Sequence, residues 1–251
     1  MTSPPMLDEL TANTGRDNIP AAPARSVRKE AILEVGVFLF LIVPSMALSF
    51  FVTRQGKVGF VFVAASTILR DLALVCLILF FFWRNAEPVT KLGWTSRQLD
   101  RNIFMGLVLY LPLVFVISLV EQLLVAAGLS QPSVPAPSMF DIRGRWEIAL
   151  AVVLVAVVAI SEETIFRGYL FVRLQTATKS TAVAVLLSAA IFAIGHGYEG
   201  SLGVVTIGIM GLIFNLIYLW RKSLVTPIVL HFLQDFTAII LLRYLQGAPS
   251  A

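Results

Sequence analysis

From Ala31 to the C-terminus the chain is a succession of apolar runs of helical length separated by short polar breaks. About 20 apolar residues span a bilayer as a helix, and lipid tolerates only structures that satisfy their own backbone, helices or closed barrels. No run alternates with the period of two that a barrel strand needs. The fold class is therefore an all-α membrane protein, a polytopic helical bundle of about seven transmembrane helices. Composition supports this, with 58% of residues hydrophobic and 14% charged.

The spans are read at about Ala31–Val52, Val58–Trp83, Ile103–Ala127, Trp146–Gln175, Thr181–His196, Leu202–Trp220 and Leu224–Tyr244. Residues 1–28 are polar, rich in Pro, Ala, Thr and Ser, and lack the apolar core of a signal peptide, so they read as a disordered cytoplasmic tail. Residues 29–145 hold the first three spans and residues 146–245 the last four. No internal repeat is evident. With the N-terminus inside, twelve of the nineteen Lys and Arg residues fall on the cytoplasmic side and five outside, with Arg70 and Arg167 within spans. This positive-inside bias favours a cytoplasmic N-terminus and an external C-terminus. The net charge of +4 reflects those loops, and no Lys/Arg run is dense enough for nucleic acid. Cys76 is the only cysteine, which removes disulfides and thiolate metal sites from consideration. Between Arg84 and Asn102, Trp94 is placed to anchor at the interface, and Pro132, Pro135 and Pro137 stiffen the loop Gly128–Arg145.

The fourth span carries the chemistry. Its apolar run Ala151–Leu174 is interrupted once, by Ser161-Glu162-Glu163-Thr164-Ile165-Phe166-Arg167. Charges within a spanning helix cost a few kcal/mol each or more, so such a cluster is a functional-site hypothesis by default. On a helix Glu163 and Arg167 are neighbours four apart, in the favourable order. Glu162 lies about 100° away around the axis and stays outside that pair. An unpaired carboxyl in apolar surroundings suits a general acid or base. The bland alternative is a structural ion pair plus one charge facing water.

The chain has two histidines, His196 and His231, each with a companion at helical spacing: Phe192 before His196, and Asp235 after His231. Asp235 is placed to accept from a ring nitrogen of His231 and fix its tautomer. The remaining polar residues read as structural. Arg70 and Asp71, being adjacent, face different ways, so each needs its own partner. Glu121, Gln122 and Glu147 lie near span ends in contact with water, and Gly203, Gly208 and Gly211 permit close packing or a local break. A depth check is less favourable. With the fourth and fifth spans turning near Gln175–Thr178, Glu162 lies about 20 Å from the turn and His196 about 27 Å, while His231 lies about 13 Å from the turn at Arg221-Lys222.

Glu162-Glu163-x-x-x-Arg167, then Phe192-x-x-x-His196, then His231-x-x-x-Asp235 resemble the motifs of the CPBP intramembrane proteases. That family includes the type II CAAX prenyl endopeptidases, the lysostaphin-resistance-like proteins and the bacteriocin-immunity proteins called Abi. The resemblance covers about Trp146–Tyr244. It implies that Glu162 and His196 activate a water for peptide hydrolysis, that Glu163 and Arg167 hold the site, and that His231 and residue 235 stabilise the oxyanion. An ionised aspartate cannot donate to an oxyanion. Asp235 is therefore either protonated or orients His231, and the second is favoured. Glu162, His196 and His231 would make a His₂Glu set for a divalent metal such as zinc. A Glu162 committed to metal cannot also serve freely as base, and no HExxH is present, so the reading leans to metal-free chemistry. The implied partner is a peptide or protein substrate in or at the membrane, the implied location the plasma membrane of a bacterium. Two other classes fit some residues: a non-enzymatic immunity or scaffold protein that binds a partner peptide, and a proton-coupled transporter, which would predict inverted repeats.

Overall fold

The computed structural model describes residues 27–54, 59–129, 142 and 144–241. Nearly all of the polar tail, and the prolines of the loop 128–145, lie outside these. Among the described residues there are seven helical rods and no strands. In chain order they are α1 (Val27–Arg54), α2 (Phe60–Arg84), α3 (Leu99–Ala126), α4 (Arg145–Glu162) continuing through a π-helical segment (Glu163–Leu170) into α5 (Phe171–Thr178), α6 (Thr181–Gly195), α7 (Gly200–Arg221), and α8 (Val225–Asp235) continuing into a second π-helical segment (Phe236–Leu241). By length and composition, four are long and apolar enough to cross a membrane: α2, α3, the α4–α5 rod and the α7 rod. The α6 and α8 rods are shorter.

Polarity is distributed as in lipid rather than in water. Phe40, Leu111 and Phe115 are at least 70% exposed, whereas Glu163 and Arg167 are fully buried. The main packings are α3 on α8, α6 on α7, α2 on α4 and α1 on α5. Local signals set the rod ends. Ser180 caps α6 by accepting from the Val183 N–H at 3.3 Å. Lys179 and Lys222 close α5 and α7 in the left-handed conformation that ends many helices. Pro227 sits in the first turn of α8, where no intrahelical N–H is needed.

Two features repair the depth mismatch. The hairpin turns at Lys179–Ser180, not at Gln175–Thr178, because the α5 helix runs on to Thr178. Glu162 and His196 are then each seventeen residues from Lys179, about 25 Å on either arm. His231 is raised by a second device. Gly168 lies against the loop before α3 and the turn before α8: a Cβ there would sit 2.9 Å from the Leu92 carbonyl oxygen and 3.4 Å from Leu224 Cδ1. The Leu224 N–H donates to the Gly93 carbonyl at 3.0 Å, tying that turn to the same loop. Leu224 is thereby level with Gly168. Six residues beyond Gly168 is Glu162 and seven beyond Leu224 is His231, rises of about 9 and 10 Å that bring them together.

Two other expectations are corrected. Arg70 and Asp71 do not find separate partners. The long guanidinium stem bends back across the turn, so Arg70 Nε and Nη2 lie 2.9 and 2.8 Å from Asp71 Oδ1. Arg173, counted among the loop cations, is buried. It pairs through Nε with Glu34 Oε2 at 2.8 Å and through Nη1 with Glu87 Oε2 at 2.9 Å, fastening α1 and the α2–α3 connection to α5. Trp94 packs against the protein core. Glu121 and Gln122 line a surface cavity of about 550 Å³.

Because Gly168 sets the level of the α7–α8 turn, Gly168→Val forces the Leu92 backbone and Leu224 apart. It is expected to destabilise the fold by about 1–3 kcal/mol, as overpacking does, read as a lower unfolding temperature in detergent; an unchanged midpoint would show the contact to be slack.

Candidate active site

The site is assembled by the π-helical turn. Its hydrogen bonds skip to the fifth residue, a rare pattern found often at functional positions. Two hydroxyls occupy carbonyls around it: Thr164 Oγ1 donates to the Ile160 carbonyl at 2.7 Å, and Ser188 of α6 donates to the Phe166 carbonyl at 2.8 Å. The wide turn packs every residue from Glu163 to Leu170 inside the protein.

Within it, Glu163 Oε1 accepts from two helices at once: Arg167 Nη1 at 2.9 Å and His231 Nδ1 at 2.8 Å. An ionised carboxylate only accepts, so Nδ1 of His231 carries a hydrogen. The Arg167 guanidinium lies between the rings of Phe192, 4.3 Å from its centroid, and Phe214, at 5.1 Å. Those faces attract the cation where Arg167 Nε and Nη2 have no hydrogen-bond partner.

His231 presents its other nitrogen to two more carboxylates. Nε2 is 3.8 Å from Glu162 Oε2 and 3.5 Å from Asp235 Oδ2. Glu162 Oε2 is buried and has no hydrogen-bond partner. The sequence spacing assigns the anchoring of His231 to Asp235; in the structure Glu163 holds Nδ1 from across the bundle, and Asp235 faces the opposite nitrogen.

His196 follows the last residue of α6. Its Nδ1 lies 2.9 Å from the Phe192 carbonyl, which can only accept, so this nitrogen donates and a neutral ring keeps Nε2 as an acceptor. The His196 ring packs on Phe192 at 4.8 Å and on Tyr198 at 5.9 Å. Phe192 also touches His231 at 6.3 Å, so one buried ring carries both imidazoles. Gly211 keeps that seat open: a Cβ there would be 3.2 Å from Phe192 Cδ1.

Glu162, Glu163, Arg167, His231 and Asp235 thus form one contiguous cluster, and His196 meets it across Phe192 without an ion-pair contact to Glu162. The three proposed metal donors, Glu162, His196 and His231, do not converge as a chelating set. Among the described residues no group of three or more His, Cys, Asp or Glu is arranged to hold a metal ion, and no step is assigned to one. Phe214 was invisible to sequence reasoning, since nothing distinguishes it from other core phenylalanines. The Arg70–Asp71 pair gave a signal, two charges in mid-span, that adjacency argued away.

The tautomer assignment is directly testable because the chain has only two histidines. Nitrogen-15 spectra of labelled protein at neutral pH are expected to show His196 protonated at Nδ1 and bare at Nε2, assigned by loss of the second signal set in His231→Ala. A proton on His196 Nε2 with Nδ1 bare would contradict the geometry.

Residues 144–237 match the family model described as Rce1-like, type II CAAX prenyl endopeptidase. A curated relative, the membrane-embedded CAAX protease MroQ of Staphylococcus aureus (strain USA300), is 37% identical over 84 residues, 32% of this chain and 33% of that protein. The match thus spans about a third of the relative's length. No solved structure matches the chain. All three polar motifs fall inside the stretch that is similar to the Rce1-like model.

Proposed function

We propose that this protein is an intramembrane endopeptidase that hydrolyses peptide bonds of membrane-associated peptides or proteins with a water activated between Glu162 and His196. The observation that carries the reading is the state of Glu162. Glu163, Arg167 and His231 Nδ1 are mutually engaged, whereas Glu162 Oε2 is buried without a hydrogen bond, 3.8 Å from His231 Nε2. A carboxylate oxygen engaged by no donor is able to take a proton from a water, which the reading sets between Glu162 and His196.

The chemistry follows from which atoms can donate. Glu162 and the free Nε2 of His196 are acceptors, and they are not in direct contact, as two groups sharing one water must not be. The water oxygen attacks the carbonyl carbon while its proton passes to this acid–imidazole pair. The same proton then goes to the departing amine, so the C–N bond breaks and the base is restored. His231, with Nδ1–H donated to Glu163, acts as the imidazolium cation and offers its second hydrogen, Nε2–H, to the carbonyl oxygen as negative charge develops there. Asp235, 3.5 Å from that nitrogen, orients it and does not itself donate. Arg167 keeps Glu163 in place.

We place the protein in a bacterial plasma membrane with a cytoplasmic N-terminus, a reading supported by the positive-inside bias and by the bacterial relative. Its clients need not be prenylated, because the roles assigned above require only a peptide bond within reach of Glu162.

The test is cleavage of a membrane-inserting peptide library by purified protein in nanodiscs, read by mass spectrometry. Glu162→Gln and His196→Ala are each expected to lower turnover by about 100-fold or more while the unfolding temperature stays unchanged. The chelator 1,10-phenanthroline is expected to leave the rate intact. A folded Glu162→Gln chain with full turnover would contradict the proposal, and loss of activity with the chelator would return the reaction to a metal.

A further inference from the structure

The proposed mechanism leaves one intramembrane ion pair unused. Arg70 and Asp71 lie on α2, outside the stretch that matches the family. They sit well inside the span, where an isolated charge is costly. Asp71 is 1% exposed, and its Oδ2 has no hydrogen-bond partner. Arg70 bonds only the other oxygen, through Nε and Nη2. The α2 helix packs along α4 and against the π-helical turn, so the pair adjoins the elements that carry Glu162 and Glu163. Across helices packed this closely in a low-dielectric interior, the charges of Arg70 and Asp71 reach Glu162 and His231.

The charges around the site are then five carboxylates, Glu162, Glu163, Asp235, Glu199 and Asp71, against two arginines and the His231 cation of the proposed reaction. Arg167 cancels Glu163 at 2.9 Å. Arg70 cancels Asp71 at 2.8 Å. What remains is Glu162 and Asp235 facing Nε2 of the single His231 cation, and Glu199 near His196. Without Arg70, Asp71 would add a further buried, uncompensated carboxylate on a helix packed against the site, where like charges act strongly on one another.

We propose that Arg70, anchored on Asp71, is a positioning residue for Glu162, supplied by α2 from outside the family-matched segment. This rests on the peptidase reading and adds to it. Arg70 touches neither the water nor the substrate. It keeps the carboxylate of Asp71 neutralised, so that Arg167 and His231 are not left to balance one more buried carboxylate near Glu162.

The experiment compares wild type, Arg70→Lys, Arg70→Gln and the doubly neutral Arg70→Gln/Asp71→Asn in nanodiscs, measuring kcat and KM on one peptide that wild type cleaves. Arg70→Gln is expected to lower kcat by about tenfold or more, equivalent to about 1.4 kcal/mol or more, with KM within about threefold. Arg70→Lys, which keeps the charge, and the double variant, which removes both, are each expected to retain at least about a third of wild-type kcat. A merely structural pair would not be rescued by charge balance. Turnover by Arg70→Gln within about twofold of wild type, or a double variant no better than Arg70→Gln, would overturn the inference. If Arg70→Gln does not fold, the same rule applies to the two variants that preserve charge balance: a folded but inactive Arg70→Lys or double variant overturns it. A wild-type chain that cleaves nothing overturns the peptidase reading first, whereas active wild type with indifferent Arg70→Gln overturns this inference alone.

Discussion

One carboxylate oxygen organises the bundle. Glu163 Oε1 accepts from Arg167 within its own rod and from His231 on α8, at 2.9 and 2.8 Å. A fully buried charge is tolerated only when paired and hydrogen-bonded, so this atom fixes where α8 docks and which nitrogen of His231 bears hydrogen. The orientation of His231 toward Glu162 and Asp235 follows from that single contact. So does the freedom of Glu162: its neighbour takes the hydrogen bonds of Arg167 and His231, and the adjacent Oε2 keeps no hydrogen-bond partner, as the role proposed for it requires.

The aromatic layer beneath does comparable work without polar atoms. Phe192 and Phe214 sandwich the Arg167 guanidinium, and Phe192 also supports both imidazoles. The ring faces attract the cation where no oxygen reaches it, and the low dielectric of so buried a site strengthens every charge interaction in it. The ion triad Glu34–Arg173–Glu87 repeats the device further along the same rod, with Arg173 over the rings of Phe82 and Tyr169. The rod from Arg145 to Thr178 is thus held at two depths by buried arginines.

Much of this was legible in the residues. Apolar runs marked each rod to within a few positions, and the spacing of Glu163 to Arg167 gave their pairing, since side chains four apart stay close in either kind of helix. The π-helical turns were not legible, because the residues Glu163–Leu170 suit an α-helix equally well and the difference lies in which carbonyl each N–H reaches. The depth of the site was misjudged for a similar reason. Lys179 adopts a left-handed conformation without being glycine, so nothing in the sequence moved the hairpin turn from Thr178 to Lys179. The lift of His231 depends on Gly168 meeting Leu92 and Leu224, three residues far apart in the chain. Arg70 and Asp71 were misread because backbone periodicity describes Cβ directions, while a guanidinium at the end of a long stem reaches back to its neighbour.

The most direct measurement of the organising claim is a double-mutant cycle on Glu163→Ala and His231→Ala, with unfolding free energies determined in mixed micelles. If the two share a buried hydrogen bond, the single losses exceed what the pair together loses, with a coupling of about 1.5–3 kcal/mol. Losses that add to within about 0.5 kcal/mol would mean that the carboxylate and the imidazole are not joined, and the docking of α8 would need another cause.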